Sequence, residues 1–129
     1  MKLLLVLIFA GLLAPLAAES PLACDRAALT PQVRKRHFDE LSPELRRRKQ
    51  SVRELRDGFE FQFPSDAATL GLLSEWIANE RLCCPFFDID LRLEREHGSV
   101  WLRLTGRDGV KQFIRSDFAR WFGSQTSGF

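Results

Sequence analysis

The sequence predicts an α+β fold. It implies a small antiparallel sheet of about four strands, built as two hairpin-helix units, with helices packed on one face and short helices ahead of it. Three observations carry this. Phe59, Phe61 and Phe63 alternate with Glu60 and Gln62, and Phe87, Ile89, Leu91 and Leu93 alternate with Asp88, Asp90, Arg92 and Glu94; this is the period of a strand with one buried face. Apolar residues then recur at helical spacing, at Leu70, Leu73 and Ile77 and again at Val110, Phe113, Ile114 and Phe118. Finally, the halves echo each other at an offset of 41 residues: Phe59, Phe61 and Phe63 map onto Val100, Leu102 and Leu104, and Leu72, Leu73 and Ile77 onto Phe113, Ile114 and Phe118.

In chain order, residues 19–29 read as an extended leader. Thr30-Pro31 is a helix start, a capping hydroxyl followed by proline at the first helical position, and Val33, His37, Phe38 and Leu41 share one face. Ser42-Pro43-Glu44 repeats that signal and predicts a second short helix to about Gln50. Its Arg46, Arg47, Arg48 and Lys49 read as a solvated face, with contact to a polyanion or anionic lipid as the sharper option. Ser51 to Arg56 is then either a strand or a continuation of the helix. Asp57-Gly58 marks a hairpin turn, where glycine tolerates positive φ.

Pro64-Ser65-Asp66 ends the Phe59–Phe63 strand and caps a helix with Leu70, Leu73, Ile77 and Arg81 on one face, flanked by Leu72 and Trp76. Pro85 disfavours a helical Cys84, so this helix stops there. His97-Gly98 turns the next strand back into Val100, Leu102 and Leu104, with Trp101 and Arg103 opposite. Thr105 to Gly109 leads into a final amphipathic helix reaching Trp121. The single domain spans residues 30–122, and 123–129 read as a flexible tail.

The first 18 residues form no part of that domain. Lys2 precedes Leu3 to Ala18, an uncharged run closed by Ala17 and Ala18, the pattern of a secretory signal. The run is shorter than the ~20 apolar residues of a spanning helix, which ranks an uncleaved anchor second. A lipoprotein at Cys24 ranks third, because Glu19 and Pro21 interrupt its motif. The expectation is therefore an exported, periplasmic or secreted protein, touching a membrane only through this segment if it stays uncleaved.

The mature chain, about 110 residues, suffices for one modest core. Without Lys2 it carries 18 basic and 17 acidic residues, a balance that argues against a nucleic-acid partner. Eleven Phe and three Trp with no Tyr supply bulky packing without phenols.

The chemistry-bearing stretch is Glu80-Arg81-Leu82-Cys83-Cys84-Pro85-Phe86-Phe87, where the helical pattern gives way to the strand pattern. Neighbouring cysteines rarely bridge each other, so a long-range disulfide from Cys24 to Cys83 or to Cys84 is expected in an oxidising compartment. Alternatively, Cys83 and Cys84, with Cys24, could hold a thiophilic metal or metalloid as a soft-ligand set. The plain reading packs one cysteine beneath the joint as a small apolar residue. Glu80 would hold Arg81 or a backbone amide, or serve as an acid or base near the thiols. His37 reads as a helix-surface residue and His97 as a turn residue, and spacing alone assembles no Cys-His pair.

This stretch, together with Asp57-Gly58-Phe59, Val100-Trp101-Leu102-Arg103-Leu104-Thr105-Gly106 and Gly109-Val110-Lys111, resembles a family of small bacterial proteins marked by an E-R-x-C-C-P-F motif and a hairpin ending in L-x-L/I-T-G. In this chain the motif residues are Glu80, Arg81, Cys83, Cys84, Pro85 and Phe86. The resemblance covers roughly residues 30 to 118 and implies a shared fold and a shared Cys-Cys joint, with no reaction attached. Three functional readings follow in rank. The first is a non-enzymatic exported domain with a structural or interaction-supporting joint, and the second a thiophilic metal binder. A thiol-dependent enzyme comes last, since phosphate loops, nucleotide fingerprints, zinc-protease helices and nucleophile elbows are absent. No cofactor is expected.

Overall fold

The computed structural model describes Gly11 and residues 18–123. Nearly all of the expected signal segment, residues 1–18, and of the C-terminal tail therefore lies outside the described residues. Among those described, no helix is long and apolar enough to cross a membrane.

A single four-stranded antiparallel sheet carries the fold, with strands β1 (Ser51–Leu55), β2 (Gly58–Phe63), β3 (Asp88–Leu93) and β4 (Val100–Thr105) in the order β1-β2-β4-β3. Each hairpin is followed by a helix: β1-β2 by α3 (Ala67–Cys83), and β3-β4 by α4 (Val110–Asp117). The two units therefore meet at β2 and β4, with Phe61 opposite Leu102 and Phe59 opposite Leu104. Those inward residues, with Phe63 and Val100, are buried against Leu73 and Trp76 of α3 and Ile114 of α4. Ser51 to Arg56 thus resolves as a strand rather than a helical extension.

Asp57-Gly58 closes the first hairpin for a reason other than the one expected. Gly58 has no positive φ; that conformation belongs to Glu96, His97 and Gly109 among the described residues. Its requirement is proximity, since a Cβ at position 58 would lie 2.0 Å from the Leu104 carbonyl oxygen. Gly109 does need glycine's freedom, at φ 96° where α4 begins.

The helices ahead of the sheet are joined, which corrects the expected second start. Helix α1 (Pro31–Lys35), capped by Thr30 as read, runs through a π-helical turn (Arg36–Leu41) into α2 (Ser42–Arg48) with helical backbone at Leu41 and Ser42. Pro43 has no N–H to give to a regular α-helical ladder, and a wider turn just before it absorbs the mismatch. Both the backbone N–H and the Oγ of Ser42 donate to the His37 carbonyl across that turn. The geometry turns His37 and Leu41 inward, so His37 is buried, not a surface residue.

The basic run on α2 is likewise not simply solvated. Lys49 is buried and Arg46 half-buried, while Arg48 contacts Glu44 and Thr69; only Arg47 is fully outside.

Two further differences concern the helices after the sheet begins. The buried stripe of α3 runs Thr69, Leu73, Trp76, Glu80, Cys83, while Leu70 and Ile77 are half-buried and Arg81 is exposed. Thr69 and the Glu80 carboxylate on that stripe hide it from a hydrophobicity pattern. The expected final helix is broken after Asp117, and Trp121 enters the core from a separate 3₁₀ turn (Ala119–Trp121). There it meets Phe61 at 5.4 Å and Trp76 at 5.6 Å between ring centroids.

The helix-free face of the sheet carries a charge ladder. In register across four strands lie Arg53, Glu60, Arg103 and Asp90. Arg53 Nη1 and Arg103 Nη2 each approach a different oxygen of Glu60 at 3.2 Å, and Glu60 is 3% exposed. Arg53 also lies over the Trp101 ring at 3.9 Å, and a cavity of about 420 Å³ opens on this face beside Glu60, Trp101 and Arg103.

Candidate functional site

The joint between α3 and β3 stands where the sequence placed it. Helix α3 ends at Cys83, and Cys84, at φ −125° and ψ 68°, leaves the helix while its N–H still donates to the Glu80 carbonyl. Cys84 is disulfide-bonded to Cys24, with Cα atoms 4.8 Å apart across 60 residues of chain. Next to the bridge, the Asp25 N–H donates to the Cys83 carbonyl at 2.7 Å, satisfying a helix-end acceptor with the leader's backbone. The leader is not extended throughout: Asp25 caps a 3₁₀ turn (Arg26–Ala28), and Leu29 is buried.

That pairing leaves Cys83 as the free cysteine, wholly buried on the inner side of the joint. Its Sγ lies 3.8 Å from both the carbonyl oxygen and Oε2 of Glu80. Burial, reinforced by the Glu80 charge, pushes its pKa up to about 12. A thiol so placed is protonated at neutral pH and a poor nucleophile.

Glu80 does not hold Arg81. Its Oε2 meets His37 Nε2 at 2.7 Å in a pair closed off from solvent. The imidazole stacks on Trp76, 5.6 Å between centroids at 25°, and takes the edge of Phe38 at 4.8 Å. Trp76 Nε1 donates to Ser42 Oγ, whose proton goes to the His37 carbonyl. The histidine is thus fixed from three sides, while its Nδ1 has no hydrogen-bond partner. His97, by contrast, is an exposed turn residue outside the site.

Two chemistries converge here. The ligand atoms of Cys24, Glu80, Cys83 and Cys84 lie within 4.8 Å of one another. With the bridge closed, two of those sulfurs are bonded to each other, and the set offers one thiol and one carboxylate. Beside it opens a cavity of about 410 Å³. Trp76, Phe118 and Trp121 wall it, Arg46 and Arg120 flank it, and His37 contributes to its lining.

Sequence reasoning located Glu80 and the cysteines but missed His37, Arg46 and Arg120 as members of the site. The available signal for His37 was its place on one helical face with Val33 and Leu41. The arginines come from segments far apart in the chain and carry no local signature. Comparison with protein-family models, characterised proteins and solved structures finds no match to this chain.

Proposed function

We propose that the chain is an exported, non-enzymatic α+β domain whose vicinal-cysteine joint is a structural clamp supporting interaction at the adjacent surface. The carrying observation is the Cys24–Cys84 bridge, which ties the leader to the end of α3 beside the Asp25–Cys83 backbone bond. Export is supported by the Lys2–Ala18 leader and by the fit of such a bridge to an oxidising compartment. A buried, protonated Cys83 packs as a small apolar residue, which favours clamp over catalysis. The test is secretion of the full chain from a bacterial host, followed by melting with and without reductant. A processed N-terminus and a loss on reduction of up to about 4 kcal/mol, the chain-entropy value for a loop of this length, are expected. Retention of the intact chain in the cytoplasm would refute export, and an unchanged melt would refute the clamp.

A second reading rests on the convergence of three sulfurs and a carboxylate within 4.8 Å. Once the bridge is reduced, Cys24, Cys83 and Cys84 could capture a thiophilic ion, the ion displacing their protons. Titrating the reduced protein with cadmium while following thiolate-to-metal absorption tests it, and no band at saturating cadmium would end it.

A further inference from the structure

The cavity beside the joint has a composition that the clamp does not use. Arg46 of α2 and Arg120 of the final 3₁₀ turn both line it, and neither has a carboxylate within ion-pair distance among the described residues. Seven other arginines, Arg36, Arg47, Arg48, Arg53, Arg103, Arg107 and Arg115, are paired with Glu or Asp, while Arg26, Arg34, Arg56, Arg81, Arg92 and Arg95 have no such pair among the described residues; what sets Arg46 and Arg120 apart is that they share one cavity. Burial, then the charges of Arg120 and Arg47, holds the Arg46 guanidinium below its ordinary pKa. Arg26 lines the cavity as well, its guanidinium 3.8 Å from the Phe38 ring centroid, and Arg46 and Arg120 repel each other unless an anion lies between them. Asp39 and Asp117 also line the cavity, but they are exposed and pair with neither arginine.

The aromatic part of the lining is made by Trp76, Phe118 and Trp121, and each is buried. His37 also lines the cavity; its Nδ1 is buried without a hydrogen-bond partner while Glu80 holds the other nitrogen. A pocket of a few hundred Å³ with an apolar wall and a few convergent polar groups is the usual form of a small-molecule site.

We propose that this cavity binds a small organic anion, its charged group between Arg46 and Arg120 and its apolar body against the Trp76–Phe118–Trp121 wall. Guanidinium groups suit such a ligand because their planar donors match carboxylate and phosphate oxygens in pairs. The inference goes beyond the clamp and does not depend on it, since Cys24 alone of the bridged pair lines the cavity.

Phenyl phosphate is the probe, and tryptophan emission is the readout, because Trp76 and Trp121 line the cavity while Trp101 lies on the far face of the sheet. The oxidised full chain is expected to show a saturable emission change and a raised melting temperature. Arg46→Gln and Arg120→Gln should each weaken the apparent Kd about tenfold, the loss of one charge-assisted contact. Both variants should melt no lower than the parent without ligand, since each relieves repulsion. Arg92→Gln, on the outer sheet face, should bind like the parent. Three results would overturn the proposal: no saturation, saturation indifferent to both cavity variants, or benzyl alcohol binding as well as phenyl phosphate.

Discussion

Glu60 and Glu80 are both nearly closed off from water, at 3% and 2% exposure, and they are held in opposite ways. Glu60 lies on the outer sheet face between Arg53 and Arg103, two permanent cations whose own side chains remain 58% and 44% exposed. Glu80 lies inside, between a histidine and a thiol, with an aromatic stack behind the histidine. The first carboxylate is covered by long side chains that could swing away and let water in. The second has no such escape, because its partners are locked by the π-helical turn and by Trp76. Burial by itself therefore says little about function, and a cavity adjoins each carboxylate; what distinguishes the inner site is that its partners are a histidine and a thiol held inside the core.

The largest expected effect comes from breaking the inner pair. His37→Ala leaves the Glu80 carboxyl buried without its partner and should cost about 3–5 kcal/mol in denaturant unfolding. Glu80→Gln keeps an acceptor for Nε2 and should cost clearly less. Glu60→Ala should cost only about 1 kcal/mol, because the arginines it releases return to water. Equal losses for His37→Ala and Glu60→Ala would erase the distinction between the two sites.

Cys83 sharpens the contrast through pH. Its folded pKa, about 12, is raised above the ordinary 9.0, so the folded state keeps a proton that the unfolded state releases between those values. Its contribution is fully present below pH 9 and falls as pH rises toward 12. Comparing the pH dependence of melting for the parent and Cys83→Ala isolates it: the parent should lose stability more steeply across that window. The smallest effect belongs to Leu82, one residue away and 58% exposed. Leu82→Ser should change stability by no more than about 0.5 kcal/mol, which would show that depth in the joint, not position along the chain, sets the cost.

Much of this architecture was legible. The alternation of Phe59, Phe61 and Phe63 marks a central strand, and the 41-residue echo marks the paired hairpin-helix units because each half repeats the same burial problem. Pro85 fixed the end of α3 from local sterics. What escaped notice depends on partners distant in sequence. Glu60 reads as an outward residue and does point outward, but its cover comes from neighbouring strands. His37 escaped because Ser42-Pro43 imitates a helix start, whereas the chain passes through it in a π-helical turn. Which cysteine would meet Cys24 was equally beyond a linear pattern: Cys83 still lies on the inward stripe of α3, while Cys84 is the first residue past the helix.

Disulfide mapping of the non-reduced protein tests the central claim most directly, with thiols alkylated after unfolding and the fragments sequenced by mass spectrometry. The account predicts Cys24 linked to Cys84 and the alkyl label on Cys83 alone. A label on Cys84 with Cys24 bonded to Cys83, or labels on all three, would contradict it.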